Sequence, residues 1–149
     1  MNKTNVEAII KRSSFVIMVL SLLAAAFCLV SGIEMEKIQS GNLSNYILGL
    51  RLSCFIYVAV FAAAAVIFFR IFRSGRPFTR GNVWAVRGIA GLFVVKIIIQ
   101  VILEGQELGL LKAFLFRGSQ SVFFAALFLV IAEIIRYGKL LQTESDETL

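Results

Sequence analysis

The residues best placed to do chemistry in this 149-residue chain are three polar side chains inside an apolar run. Lys96, Gln100 and Glu104 recur at i, i+4 and i+8, so a helix puts them on one face. A lysine deep in a membrane helix costs about 2.5–3.5 kcal/mol on insertion scales and marks a functional site by default. Tyr57 and Gln120 are predicted at similar depth on other helices. Together the five residues predict a small, outward-open polar pocket for a ligand.

A structural interpretation of the same stripe stays open. Lys96 can snorkel towards the membrane surface, or pair with Gln100 and Glu104, and simply stabilise the helices. The two interpretations differ in whether the lysine contacts a ligand or only its own chain.

A second polar group is predicted at the other end of the helices. Glu133 precedes Arg136 by three positions, and Arg70 and Arg87 are expected at comparable depth. This pattern favours an ion pair between helices. The competing role, a proton-relay carboxylate, is disfavoured because no second buried carboxylate continues a path.

Several kinds of chemistry are excluded by residue type. The chain has no histidine, which is the commonest general base and metal ligand. Cys28 and Cys54 lie in apolar runs without a redox or zinc spacing, and both fall in the outer halves of adjacent predicted helices. We expect two inert thiols, with a disulfide between them as the alternative. No nucleophile–base pair, phosphate loop or metal-ligand cluster stands out in the sequence. We therefore predict a protein that is not an enzyme and uses neither cofactor nor metal.

The composition predicts a membrane protein. Hydrophobic residues make up 59% of the chain and charged residues 16%, against about 45–50% and about 25% in soluble domains. The mean hydropathy is +0.88. The net charge of +6 comes from basic residues at the ends of apolar runs, which suits anionic lipid better than nucleic acid.

The apolar runs predict a single all-α domain, an integral membrane four-helix antiparallel bundle. Residues 1–12 are predicted to lie as an interfacial segment, and residues 138–149 to form a tail after a helix stop at Gly138. Gly88 and Gly91 are expected where neighbouring helices pack closely. The predicted helices span about 13–33, 46–72, 82–103 and 113–137.

The basic stretch Arg70–Arg87 decides the predicted orientation. It holds the only proline, and its exposed arginines, Arg73, Arg76 and Arg80, are expected to bind anionic lipid or an acidic cytosolic protein. Because basic residues favour the cytoplasmic side, both termini are predicted on the cytoplasmic side of the inner membrane. One end carries Lys3, Lys11, Arg12, Arg70, Arg73, Arg76, Arg80, Arg87, Arg136 and Lys139, and the other carries Lys37, Arg51, Lys112 and Arg117.

Two motifs carry a family resemblance over most of the chain. They resemble the central loop and C-terminal signature of a bacterial membrane family, domain of unknown function 2975. Glu147 departs from the family pattern, which usually has an apolar residue there. The motifs are Ser74-Gly75-Arg76-Pro77-Phe78-Thr79 with Asn82 and Arg87-Gly88-Ile89, then Ile131-Ala132-Glu133-Ile134-Ile135-Arg136-Tyr137-Gly138 with Leu141-Gln142, Glu144, Asp146 and Thr148-Leu149.

The resemblance implies a four-helix inner-membrane protein without established chemistry, whose gene often neighbours a small helix-turn-helix regulator. The expected function is therefore non-enzymatic and regulatory. The chain would bind or sequester a cytosolic partner, such as that regulator, through its basic loop and C-terminal tail. The alternative is a small oligomeric transporter, channel or immunity-type protein that uses the polar stripe of the third helix. The ligand, the partner's identity and the oligomeric state are left open.

Overall fold

The computed structural model describes residues 3–35 and 44–147, which form five α-helices and no strand. This confirms the all-α prediction for that part of the chain. Helices α1, α2, α3 and α5 are each long and apolar enough to cross a membrane. The helices are α1 Lys3–Glu34, α2 Ser44–Ser74, α3 Arg80–Leu108, α4 Leu110–Ala113 and α5 Ser119–Glu147, with a π-helical turn Phe114–Gly118 before α5.

The long helices pack in sequence, α1 on α2, α2 on α3 and α3 on α5. The core therefore lies around α3. In the most apolar stretch of α3, 33% of the residues are buried, against 6% in that of α1. Phe93 of α3 is central to it, stacking on Phe124 at 5.4 Å and on Phe128 at 5.7 Å between ring centroids. Large exposed side chains on α1, such as Phe27 at 74%, would be unfavourable in water and suit a lipid environment.

The buried positions of α1 carry small residues. Ser14, Ser21 and Gly32 are buried. A Cβ atom at Gly32 would lie 3.2 Å from the Cβ of Cys54 in α2. Small residues let two helices approach closely within a membrane, where apolar burial alone does not drive their association. Cys28 and Cys54 are both free and half-buried.

Helix α1 differs from its prediction at the N-terminal end. It begins at Lys3 and continues without a break to Glu34, so no turn separates an interfacial segment from a membrane helix. The stretch 3–31 contains neither glycine nor proline. Glu7 and Lys11 also form an i,i+4 ion pair at 2.7 Å, which stabilises the first turns.

Gly75, Thr79 and Asn82 shape the connection between α2 and α3. Gly75 has a positive φ of 66° and ends α2. Thr79 caps α3, since its hydroxyl accepts a hydrogen bond from the backbone N–H of Asn82 at 3.2 Å. The Asn82 side chain, 1% exposed, donates to the carbonyl of Pro77 at 2.9 Å. These bonds fix the shape of the connection 75–79.

Three other predicted features need correction. The stretch 104–112, expected to connect the predicted helices 82–103 and 113–137, is helical on both sides of a turn at Gly109, whose φ of 83° favours glycine. Gly88 and Gly91 are not close-packing positions, since a Cβ at either would meet nothing within 4 Å. Helix α5 does not stop at Gly138 but continues to Glu147, so the predicted tail is largely part of the helix.

Candidate functional site

A buried polar cluster joins α3 to α5. The amine of Lys96 donates to Ser121 Oγ at 2.9 Å and to Gln100 Oε1 at 3.1 Å. Ser121 in turn donates to Gln100 Oε1 at 3.3 Å. The Lys96 amine also lies 5.1 Å from the ring centroid of Tyr57, which brings α2 into the cluster.

The cluster is closed to its surroundings. Lys96 and Gln100 are each 3% exposed and Ser121 is 1% exposed. The Tyr57 ring packs edge-on against Phe93, at 6.2 Å between centroids, so the aromatic core lies next to the buried lysine. Polar groups removed from water need partners of their own, and these three hydrogen-bond to one another. Chemically the arrangement acts as a clamp between helices, and it differs from the outward-open pocket that the sequence predicts.

The structure brings together part of the predicted set. Tyr57, Lys96 and Gln100 meet, whereas Gln120 is exposed on α5 and its neighbour Ser121 takes the inner position. The backbone of Glu104 belongs to α3, but its side chain lies outside the described part of the structure.

A pattern in the sequence of α5 could have identified Ser121. Three small residues, Ser121, Ala125 and Ala132, follow at i, i+4 and i+11, which places them on one face of a helix. All three are buried in the structure, at 1%, 7% and 0% exposure. Small residues at helical spacing are typical of the face that packs against another membrane helix.

A second link between α3 and α5 is an ion-pair cluster near their other ends. One oxygen of Glu133 accepts from Arg87, and the other accepts from Arg136 at 3.1 Å. The cluster is partly solvated, because Glu133 is 55% and Arg87 33% exposed in their side chains. Arg70, which was expected at the same depth, is not part of this cluster. A Cβ at Gly81 would lie 3.6 Å from Arg70 Nη1, so the Arg70 side chain reaches from α2 to the start of α3. Helix α3 lies between α2 and α5 and separates Arg70 from Glu133.

Three separate chain segments meet at the basic end of the molecule. A Cβ at Gly75 would lie 3.2 Å from the carboxylate of Glu7, which puts the start of α1 against the turn after α2. A Cβ at Gly138 would lie 2.7 Å from the ring of Phe78, which puts the same turn against α5. The cationic side chains described at this end are Lys11, Arg12, Arg70, Arg73, Arg76, Arg80, Arg87, Arg136 and Lys139.

The predicted docking arginines lie on the surface of this end. Arg73, Arg76 and Arg80 are all exposed. Arg73 lines a broad groove of about 810 Å³ between α2 and the start of α3, together with Arg70. The side chains of residues 145–149, which the predicted docking tail includes, lie outside the described part of the structure.

Comparisons with protein-family models, with curated proteins and with solved structures found no match to this chain. The resemblance to domain of unknown function 2975 therefore stays a prediction. Within the described residues, no group of three histidine, cysteine, aspartate or glutamate side chains is placed to hold a metal ion.

Proposed function

We propose that this chain is a non-enzymatic, regulatory protein of the bacterial inner membrane that holds an acidic cytosolic protein at its basic end. The observation that carries the proposal is the meeting of α1, the 75–79 connection and α5 at one end, where Arg73, Arg76 and Arg80 are all exposed. A preassembled cationic surface attracts acidic partners and sets their orientation. The helix-turn-helix regulator implied by the family resemblance is the partner class we expect.

The proposed topology has four antiparallel membrane helices with both termini in the cytoplasm. Contacts at opposite ends of the first pair support it. Phe15 near the start of α1 packs on Phe72 near the end of α2, at 5.6 Å between ring centroids. Gly32 at the end of α1 lies against Cys54 towards the start of α2. The excess of Lys and Arg at the basic end assigns that end to the cytoplasm.

The polar cluster is proposed to serve this function as a clamp. Hydrogen bonds between Lys96, Gln100 and Ser121 fix α3 against α5 within the membrane. The Arg87–Glu133 pair fixes the same two helices near the basic end. The alternative, an oligomeric transporter, channel or immunity-type protein, would need this cluster open to a ligand. Its burial favours the clamp.

The docking role is tested by site-specific photo-crosslinking in cells. A photoreactive amino acid replaces Ser74, which is exposed and lies between Arg73 and Arg76, so both arginines remain. Leu111, 71% exposed in α4, takes the same probe as the matched control. We expect Ser74 to capture a cytosolic protein through an acidic segment, and Leu111 not to capture it.

Charge reversal decides whether the capture is electrostatic. The double substitution Arg73→Glu with Arg76→Glu should abolish the adduct at Ser74. The two introduced carboxylates repel an acidic partner, and the loss of the two arginines slows its association with the basic end. Capture of lipid or of a second copy alone would contradict the proposal, and so would an adduct that survives the charge reversal.

A further inference from the structure

A second, smaller cavity lies between α3 and α5, apart from the Arg70 groove. Its volume is about 300 Å³, and it opens between the first turns of α3 and the last part of α5. Arg80, Trp84 and Arg87 line it from one face of α3, at the spacing i, i+4 and i+7. Arg136 and Lys139 line it from α5. Four of these five side chains are cationic, and no described lining residue is acidic.

The four cations differ in their partners. Glu133 bridges Arg87 and Arg136, and so holds both guanidinium groups in place between the helices. Within the described residues, Arg80 and Lys139 form no ion pair with a carboxylate. The cavity therefore has two oriented arginines and two further cations to offer to an anion.

The position of Trp84 indicates which anion. Trp84 is 62% exposed, and the Arg87 guanidinium lies 5.6 Å from its ring centroid. Exposed tryptophans of membrane helices concentrate at the level of the lipid headgroups. The apolar side chains of Val83 and Leu140 also line the cavity, so it is cationic and apolar at once. A phospholipid combines the matching chemistries, an anionic phosphate joined to apolar chains.

We propose that this cavity binds one anionic phospholipid, with its phosphate between Arg80, Arg87, Arg136 and Lys139. Arginine forks bind phosphate oxygens through charge-assisted hydrogen bonds. Basic pockets between membrane helices are known headgroup sites. The bound phosphate would join α3 to α5 beside Glu133 and so stabilise the basic end. The site uses cations from two helices, which distinguishes it from the general attraction of a basic surface to lipid.

The test uses Trp84 as a reporter, because it is the only tryptophan in the chain. The full chain is placed in phosphatidylcholine nanodiscs that contain a small share of lipid with brominated acyl chains, which quench nearby tryptophan. Brominated phosphatidylglycerol should quench Trp84 more strongly than the same share of brominated phosphatidylcholine. Replacing Arg80 and Lys139 by glutamine should weaken this preference by about twenty-five-fold, given about five-fold for each cation.

Matched variants distinguish lipid binding in the cavity from a general attraction of anionic lipid to the basic surface. The Arg73→Gln with Arg76→Gln variant removes the same charge from the same end, outside the cavity, and should keep the preference. The charge-conserving Lys139→Arg variant should also keep it, and circular dichroism verifies the helix content of each variant. Three results would overturn the proposal: equal quenching by the two lipids, equal loss of preference in both glutamine variants, or relief of quenching by inorganic phosphate.

The lipid site does not depend on the proposed docking function. Nanodiscs present lipid to both ends of the protein, so the result is independent of which end is cytoplasmic. If the Ser74 crosslink fails while the lipid preference holds, only the docking function is contradicted. If the lipid preference is absent while an acidic protein is captured, only the lipid site is contradicted.

Discussion

The ring of Phe78 lies where a side chain at position 138 would have to go. A Cβ at Gly138 would be 2.7 Å from two of its ring carbons, closer than any normal contact. Phe78 belongs to the connection between α2 and α3, and Gly138 lies within α5. The glycine therefore admits the ring and attaches the connection to α5, and it does not end the helix.

This contact predicts a coupling between the two positions. Within a helix, Gly→Ala stabilises by about 1 kcal/mol. At Gly138 the added methyl group displaces the ring, so we expect Gly138→Ala to be neutral or destabilising. In a Phe78→Ala background the same change should recover the gain. Reversible unfolding in mixed micelles measures both values.

A glycine with free space around it provides the control for this comparison of Gly138→Ala in two backgrounds. Gly91 in α3 has nothing within 4 Å of an added Cβ, so Gly91→Ala should be stabilising whether or not Phe78 is present. The Phe78–Gly138 contact would lose its support if Gly138→Ala had the same effect in both backgrounds, because contacting residues should couple by about 0.5–3 kcal/mol.

The sequence predicted the long helices because a bilayer requires uninterrupted apolar length. The turn at Gly75 and the cap at Thr79 are also local signals. The true end of α5 was missed because glycine is ambiguous in sequence. Whether Gly138 stops a helix or admits a ring depends on Phe78, which arrives from a distant part of the chain. The start of α1 was missed because a charged helical turn resembles a separate interfacial segment.

The polar residues also show that local sequence predicts spacing within one helix but not contacts between helices. Lys96 and Gln100 share a face because they belong to one helix, and its period fixes their spacing. Choosing between Gln120 and Ser121 requires the rotation of α5 about its own axis, which only the face of small residues, Ser121, Ala125 and Ala132, indicates in the sequence. Arg70 was grouped with Glu133 by depth alone, and depth does not reveal that α3 lies between their helices.

The clamp predicts different effects on stability for substitutions at the two neighbours on α5, Ser121 and Gln120. Ser121→Ala removes a buried hydrogen-bond partner of Lys96 and Gln100 and should destabilise the protein by about 1 kcal/mol. Gln120→Ala, at an exposed position, should leave stability unchanged. The midpoint of unfolding in mixed micelles gives the comparison. Equal effects of the two substitutions would mean that the polar cluster contributes nothing specific.

Gln100 is expected to be the most sensitive member of the cluster. Its Oε1 accepts from both Lys96 and Ser121, so Gln100→Leu leaves two buried donors without that acceptor. A buried polar group without a partner costs about 1–3 kcal/mol. Lys96→Met should cost less, because Ser121 and Gln100 remain bonded to each other. A larger loss of unfolding free energy for Lys96→Met than for Gln100→Leu would contradict this order.

The Glu133 ion pairs predict a charge-swap rescue. Glu133→Lys places three cations together and should lower the Tm in detergent. Combining Arg87→Glu with Glu133→Arg restores an opposite-charge contact between α3 and α5 and should recover part of the loss. The differences should shrink at high salt, since these side chains are partly solvated. A double variant no more stable than Glu133→Lys would show that the pair does not hold the helices together.

The proposed orientation predicts which cysteines a membrane-impermeant maleimide reaches. Arg76 lies between α2 and α3, Lys112 lies in α4 beyond the other end of α3, and both are exposed. Each is replaced by cysteine in a chain whose Cys28 and Cys54 are changed to alanine. Lys112→Cys should be labelled in intact cells and Arg76→Cys only after permeabilisation, because the proposed orientation places the basic end in the cytoplasm. The reverse pattern would place the basic end outside and remove the cytosolic partner from consideration. Labelling of both positions in intact cells would contradict a membrane-spanning α3.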